Sequence, residues 1–239
     1  MAIAYMTAPQ QTPIDLHHET RQRLLDAGTR LFAEHGYRGV SVRELCTEAA
    51  VNIAAINYHF GGKQGLYHAI FEATLAADEP RFQELLRNTR LLLASAQGNR
   101  EQLARVVQIF TTGMLVPTTT NERARSFGVL VIRELAFPST EFEIIFQRRA
   151  QPCQQMFASI VAATTGLAED SEQVRIETHA LVGMIFHIGL SRSILLRTMD
   201  WDVVTPPRAA LVADFVTQLV CNALSLPAQQ TGLSNGENR

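Results

Sequence analysis

The chain has 239 residues, 46% of them hydrophobic and 18% charged, which is enough apolar content for a sizeable core in one large domain or two modest ones. A formal net charge of −2 and a pI near 6.4 argue against a protein that coats nucleic acid indiscriminately, so any DNA binding must come from a small local patch. The three cysteines, Cys46, Cys153 and Cys221, are odd in number and widely separated; they suit a reducing cytoplasm and read as buried apolar residues, not as a disulfide framework or metal cluster.

No stretch alternates with period two over a useful length, and apolar residues recur at helical spacing along nearly the whole chain, which predicts an all-α fold. Residues 1–16 lack a basic stretch followed by an apolar one, so they read as a flexible arm and not a secretion signal. A first helix is expected from about His17 to Glu34, with Leu24, Leu25, Ala27, Leu31 and Phe32 on one face, ending at His35 and Gly36 where glycine can take a left-handed cap. Ser41 to Glu44 form a capping-box sequence for a short helix ending near Ala49 and Ala50. Asn52 can cap a second short helix, Ile53 to Phe60, anchored inward by Val51, Ile56 and Phe60. Two short helices and a tight turn make a helix-turn-helix.

Gly61 and Gly62 then read as a loop, and Lys63, the only lysine in the chain, opens the next helix. A cation there opposes the helix dipole unless the terminus also meets an anion. This helix is expected to reach about Ala77, to be interrupted near Pro80 and to resume through Arg90. Later helices are bounded by their own punctuation: Arg100 to Val116 before Pro117, Asn121 to Phe137 before Pro138, and Thr140 to about Thr165 before Gly166, with Pro152 kinking or splitting the last. Ser171 to Met199 and Pro206 to Leu226 form two apolar helices joined by a short turn, and residues 228–239 read as a disordered tail. The most apolar segment, His179 to Leu196, is broken by His187, Ser191, Arg192 and Ser193, so it reads as a buried helix and not a membrane span.

The outer face of the second short helix carries the chemistry. Ala54 and Ala55 are small enough to approach a groove floor and touch a thymine methyl, and Asn57 can pair with adenine at about 1–3 kcal/mol of discrimination. Tyr58 and His59 offer donors to phosphate oxygens or base edges. Taken alone, the same eight residues also fit a capped amphipathic helix with ordinary surface polar groups.

The wider pattern, ETRQRLLDAG at 19–28, LFAEHGY at 31–37, SVREL at 41–45 and VNIAAINYHFGGKQGLY at 51–67, resembles the N-terminal domain of TetR-family (TetR/AcrR) transcriptional regulators over about fifty residues in register. The run from Ala50 to Tyr67 is similar to the branch with a CerR-like C-terminal domain. The resemblance implies a helix-turn-helix DNA-binding domain over residues 17–66 and a helical effector-binding and dimerisation domain over residues 67–227. It implies a cytoplasmic homodimer on a palindromic, double-stranded operator, most often a repressor released by a small-molecule effector, with no membrane partner. Ser41, Val42 and Arg43 would open the supporting helix, with a base contact possible through Arg43. Ala54, Ala55, Asn57 and Tyr58 would stand on the recognition helix, and His59 and Lys63 would hold phosphates, Asn52 completing the contact set. Where this chain has Asn57 and Ala54 the family commonly has tyrosine and glycine, so base preference does not transfer. From His17 to Leu66, Arg21, Arg23, Arg30, Arg38, Arg43 and Lys63 face Glu19, Asp26, Glu34, Glu44 and Glu48, six bases against five acids. A shallow salt dependence follows.

In the C-terminal part, Phe71, Phe110, Met114, Phe127, Leu130, Arg133, Glu134, Phe142 and Phe146 lie on helices that in the resembled family enclose an effector pocket, though aromatic stripes at helical spacing are as readily plain core. If Val129 to Ile132 and Leu135 face inward, Arg133 or Glu134 needs a partner near the core. His179 and His187 stand about 12 Å apart along a helix axis, too far to share a metal, and are expected as hydrogen-bonded interior groups, a polar lining or a dimer contact. Leu181, Ile185, Ile188 and Leu195, with Leu211, Phe215, Leu219 and Leu224, exceed what a monomer core needs and are the expected dimer seam. No nucleophile elbow, zinc-protease motif, phosphate loop or compact Cys/His cluster appears, so no catalytic residue, metal or cofactor is expected. The alternatives are a helical small-molecule-binding protein or enzyme with a vestigial helix-turn-helix, and an adaptor that uses exposed apolar helices.

Overall fold

The computed structural model describes residues 13–120 and 122–227, and every regular element among them is helical. In chain order these are α1 (Pro13–Gly39), α2 (Val42–Ala49), α3 (Ile53–Phe60), α4 (Lys63–Ala96), α5 (Arg100–Thr120), α6 (Glu122–Ala136) and α7 (Glu141–Ile145). A π-helical turn (Phe146–Ala150), α8 (Gln151–Thr165), α9 (Glu172–Leu190), α10 (Arg192–Thr198) and α11 (Pro206–Ala223) follow. Two compact units result, divided inside α4 between Ala73 and Thr74. The expected arm and tail lie outside the described residues, except that residues 13–16 already belong to α1.

In the first unit, Leu24, Leu25, Ala27 and Phe32 of α1 are buried with Leu45, Ile56, Leu66 and Ile70; Leu31 is only half-buried. Gly28 lets α1 lie against α4, since a methyl there would come within 2.8 Å of Ile70 Cδ1. Gly36 leaves helical geometry at φ 72 and ψ 166, so α1 breaks after His35 as expected. The turn that follows delivers Tyr37 against Phe32 and Tyr67.

The second unit is a helical bundle whose core joins Phe110 of α5 to Phe157 of α8, at 5.6 Å between ring centroids, and to Val174, Val182 and Ile185 of α9 and Ala213, Val216 and Val220 of α11. Cys153 and Cys221 are free and buried here, and burial pushes their thiols up to about 12 and about 11.

Several expected boundaries move, and two of them move at prolines. The break expected near Pro80 is absent: α4 continues to Ala96. Likewise α5 does not stop at Val116 but passes through Pro117 to Thr120. Proline leaves the carbonyl four residues earlier without its amide, and for Pro117 that carbonyl, Gly113 O, accepts from Arg81 Nη1 at 2.9 Å. The same substitution occurs at Pro152, where Arg148 O accepts from Arg149 Nη1 at 2.8 Å; the expected split is there, as the π turn ahead of α8. Near Pro80, Arg149 Nη2 donates to Leu75 O at 2.8 Å. At Pro117 a guanidinium from a distant position thus supplies the donor that sequence-local reasoning removes.

The helix expected over Ser171 to Met199 is two helices, α9 and α10, broken at Ser191, whose φ and ψ are −93 and 23 and whose hydroxyl donates to His187 O. The last helix stops at Ala223, short of Leu226. Leu181, Ile185 and Leu224 are buried in their own bundle, 7%, 4% and 5% exposed in the single chain. Ile188 packs against that core, and Leu195 and Leu211 are half-buried. Phe215 and Leu219 remain outward at 61% and 54% exposure, joined by Ile176 on α9 at 64%. His179 and His187 are exposed, not interior, and His179 Nδ1 lies 3.5 Å from Gln154 Nε2.

The expected pocket residues are also redistributed. Phe71 belongs to the first unit, fully buried edge-on to Tyr67. Phe110 and Leu130 are core at 0% exposure, while Met114 and Phe127 are half-buried. Phe142 and Phe146 stack, with Phe146 partly open. Of the charged pair, Arg133 is exposed and Glu134 is the buried member. Glu134 Oε2 accepts from the Ser139 amide at 2.9 Å and the Ser139 hydroxyl at 2.7 Å.

Candidate nucleic-acid interface

The interface is assembled by local capping and three ties from α1. Ser41 Oγ accepts from the Glu44 amide at 3.2 Å, and Glu44 Oε2 accepts from the Ser41 amide at 2.7 Å, closing the capping box that starts α2. These bonds, first the backbone amide and then the hydroxyl, hold the Glu44 carboxyl below its ordinary range. The turn between α2 and α3 is pinned by Ala50 in a left-handed conformation at φ 51, whose carbonyl accepts from Arg23 of α1 at 2.6 Å. Arg30 of α1 pairs with Glu48 of α2 at 2.7 Å, and Arg21 lies over the Phe60 ring at 5.4 Å.

Asn52 Oδ1 accepts from the Ala55 amide at 2.9 Å and starts α3. Its oxygen is therefore committed to the cap, and only its NH2 group can reach a phosphate. Ile56 is fully buried beneath α3 and Phe60 half-buried, leaving Ala54, Asn57 and Tyr58 exposed, Tyr58 at 76%. Ala55 and Val42 are half-buried, and Arg43 is exposed. With Ile53 also exposed at the start of the helix, the outward face includes a methyl, an amide and a phenol, a set suited to a groove floor and its walls.

His59 is more enclosed than its sequence position suggested. Its ring lies 4.3 Å from that of His17 and 5.2 Å from that of Tyr58, and its Nδ1 is buried without a hydrogen-bond partner. Burial, then the charges of His17 and Arg21, hold its pKa below the ordinary histidine value. The neutral tautomer with the proton on Nε2 leaves no buried N–H unmet, so His59 can offer one N–H outward.

Lys63 has a partner that its neighbours in sequence do not reveal. Its Nζ stands over the Tyr37 ring at 4.4 Å from the centroid. Burial lowers its pKa and the Glu44 charge opposes that shift. The cation is thus held on an aromatic face beside the first turn of α4, where unpaired helix amides also point outward. Together they can meet one phosphate oxygen cluster.

Gly65 sets the joint between α3 and α4. A methyl there would lie 1.7 Å from Phe60 O, so the last carbonyl of α3 rests directly on the Gly65 α-carbon. Gly61 ends α3 in the left-handed region at φ 70, donating its amide to Asn57 O. Sequence reasoning picked out Gly61 and missed Gly65, although a third glycine inside the start of a helix is the usual sign of close backbone approach. It also missed Tyr37 and His17, which lie in other parts of the chain and leave no local signal.

Comparison with known proteins matches these two units to two family descriptions. Residues 24–70 match bacterial regulatory proteins of the tetR family. Residues 100–225, more than half of the chain, match the C-terminal domain of the HTH-type transcriptional dual regulator CecR, which gives CecR as the name of the branch expected above as CerR-like. The chain is 24% identical to CecR of Shigella flexneri over 199 residues, covering 83% of this chain and 88% of that protein. It is similar in fold to AibR, solved in complex with isovaleryl coenzyme A and operator DNA, with a TM-score of 0.59 at 14% identity over 84% of this chain and 97% of that one. A second similar structure is the TetR-family regulator PfmR of Thermus thermophilus, with a TM-score of 0.53 at 20% identity over 93% of this chain and 100% of that one.

Proposed function

Given that the chain belongs to the TetR family of bacterial regulators and carries a CecR-type C-terminal domain, we propose that this ligand-responsive, DNA-binding transcriptional regulator is a repressor. It works in the cytoplasm as a homodimer on a palindromic operator and is released by a small-molecule effector. The observation that carries the reading is the outward face of α3, where Asn57 and Tyr58 are free to enter a groove while Asn52, Gly61 and Gly65 fix the helix from behind.

In this reading α3 enters the major groove. Ala54 and Ala55 bring its backbone to the floor, Asn57 reads a base edge, and Tyr58 reaches an edge or a sugar-phosphate oxygen. Ser41, Val42 and Arg43 at the start of α2, with Asn52, His59 and Lys63, position the domain on phosphates. Two such heads related by two-fold symmetry read two half-sites. The partner is met through Phe215 and Leu219 of α11 and Ile176 of α9, which are outward in the single chain.

Release follows from linkage. An effector that binds more tightly to the conformation unable to hold DNA weakens DNA binding, and DNA weakens effector binding by the same factor. Fluorescence anisotropy with the DNA upstream of the protein's own coding region tests the reading. Specific, salt-sensitive binding of a dimer supports it; binding indistinguishable from that of random duplex removes it.

A further inference from the structure

The first unit brings together two histidines that stand far apart in the chain. Because α1 begins at Pro13, His17 and Arg21 lie inside it, one turn apart on the same face. Both meet α3. Arg21 lies over the Phe60 ring at 5.4 Å, and the His17 ring stands 4.3 Å from that of His59 and 5.5 Å, edge-on, from that of Tyr58. His17 is exposed, as Tyr58 is, whereas His59 is half-buried. The imidazole from α1 therefore sits at the border of the face that α3 turns outward.

The two rings together hold one proton more readily than two. Protonating His59 would enclose an N–H at Nδ1, a buried atom with no hydrogen-bond partner, and leave it without an acceptor. The charges that act on His59 are those of His17 and Arg21, both basic, and among the described residues no carboxylate pairs with either histidine. Lys63 of α4 is set on the Tyr37 ring instead, and His18 is exposed. Two imidazolium rings at 4.3 Å repel each other. A proton on the pair thus falls to His17, whose charge water can solvate, while neutral His59 keeps its Nε2–H for an acceptor.

We infer that His17 is a further DNA-binding residue: it takes up a proton as the operator binds and holds the same phosphate that accepts from His59 Nε2–H, so that DNA affinity is linked to pH. This rests on the reading that α3 enters the groove. A phosphate bonded to His59 adjoins a second imidazole 4.3 Å away, and its charge favours the protonated form of that ring. The complex then binds one more proton than the free partners, and affinity rises as pH falls through the ordinary histidine range, near about 6.5. His17 also braces the Tyr58 ring, a side chain that reaches the groove.

The test is fluorescence anisotropy of the full chain with the duplex upstream of its own coding region and with random duplex, from about pH 8 to about pH 5.5. EDTA in the buffer keeps any metal from bridging the rings. Both duplexes should bind about tenfold more tightly at the acid end, the effect of one linked proton shifted by about one pKa unit. The slope of log affinity against log salt should steepen by about 0.9 over the same range, as one more phosphate is neutralised. His17→Gln should flatten both profiles. His17→Arg carries its charge at every pH and should bind at the alkaline end as the parent does at the acid end, a gain that misfolding cannot produce. His18→Gln, one residue along, should keep the parent's profile, and circular dichroism at both ends of the range checks the fold of each variant. The inference is overturned if the parent binds equally across the range, if His17→Gln keeps the parent's pH dependence, or if that dependence disappears only in His59→Gln, which would put the proton on His59. Specific DNA binding with a flat pH profile ends only this inference, whereas absence of specific binding at every pH ends the regulator reading itself.

Discussion

Replacing Gly65 by alanine tests the joint that aims α3. The new methyl would stand 1.7 Å from Phe60 O and 2.9 Å from the Phe60 carbonyl carbon. Both are backbone atoms, so no rotamer change relieves the overlap. Reaching an ordinary 3.4 Å contact requires α3 and α4 to separate by roughly 1.7 Å at this point. Alanine gains about 1 kcal/mol over glycine in helix propensity, but overpacking costs about 1–3 kcal/mol and more where only backbone can give way. We therefore expect net destabilisation of about 1–3 kcal/mol, read as a lower urea midpoint. Operator affinity should fall by at least about tenfold, because a displaced α3 loses base contacts worth about 1–3 kcal/mol each. Two companion variants calibrate the argument. Gly28→Ala meets only side-chain atoms, Ile70 Cδ1 at 2.8 Å and Leu66 Cδ2 at 3.3 Å, which can shift where backbone cannot, and should cost about 1 kcal/mol or less. Gly61→Ala has open space around it but a φ of 70, and should cost about 1–2 kcal/mol through strain alone. A Gly65→Ala protein with parental midpoint and parental operator affinity would refute the reasoning.

Three other outcomes are expected. Lys63→Ala should weaken binding to all duplexes alike and reduce the slope of log affinity against log salt by about one unit, whereas Asn57→Ala should narrow the gap between operator and random DNA by about 1–3 kcal/mol; anisotropy at several salt concentrations reads both. Phe215→Asp with Leu219→Asp, at positions 61% and 54% exposed in the single chain, should yield a folded monomer by sedimentation that binds operator far more weakly. The last concerns Glu79. Burial alone would raise its carboxyl, but hydrogen bonds from Arg149, Gln83 and Arg148 and the Arg149 charge bring it from 4.5 down to about 2. A depressed carboxylate stabilises the fold above pH 4.5 and loses that contribution as pH falls from 4.5 toward about 2. The full linkage of about 3 kcal/mol shrinks to about 1–2 kcal/mol after solvent screening of a side chain that keeps 31% exposure. Glu79→Gln should therefore lower stability at neutral pH and flatten its decline below pH 4.5, checked by urea titrations across that window.

What the sequence by itself determined was local. The capping box at Ser41, the Asn52 cap, the left-handed ends at Gly36 and Gly61 and the two short helices between them depend on groups within four residues of one another, so composition and spacing suffice to place them. The polar outer face of α3 followed from the same periodicity, because Ile56 had to point inward. Tertiary structure decided the rest, where the deciding partner is remote. Pro117 reads as a helix break because the sequence shows the missing amide but not the guanidinium group of Arg81, which bonds to the freed Gly113 carbonyl 32 residues away. The apolar stripes of α9 and α11 did not reveal which residues face inward. Leu181 and Ile185 turned to the chain's own core while Phe215 and Leu219 stayed outward, since a helical period fixes spacing and leaves the rotation of the helix to its neighbours. Lys63 shows both halves of the division. Its place at the start of α4 was plain from the glycines before it, but the Tyr37 ring beneath it was decided only by the chain after the Gly36 break folding back to meet it.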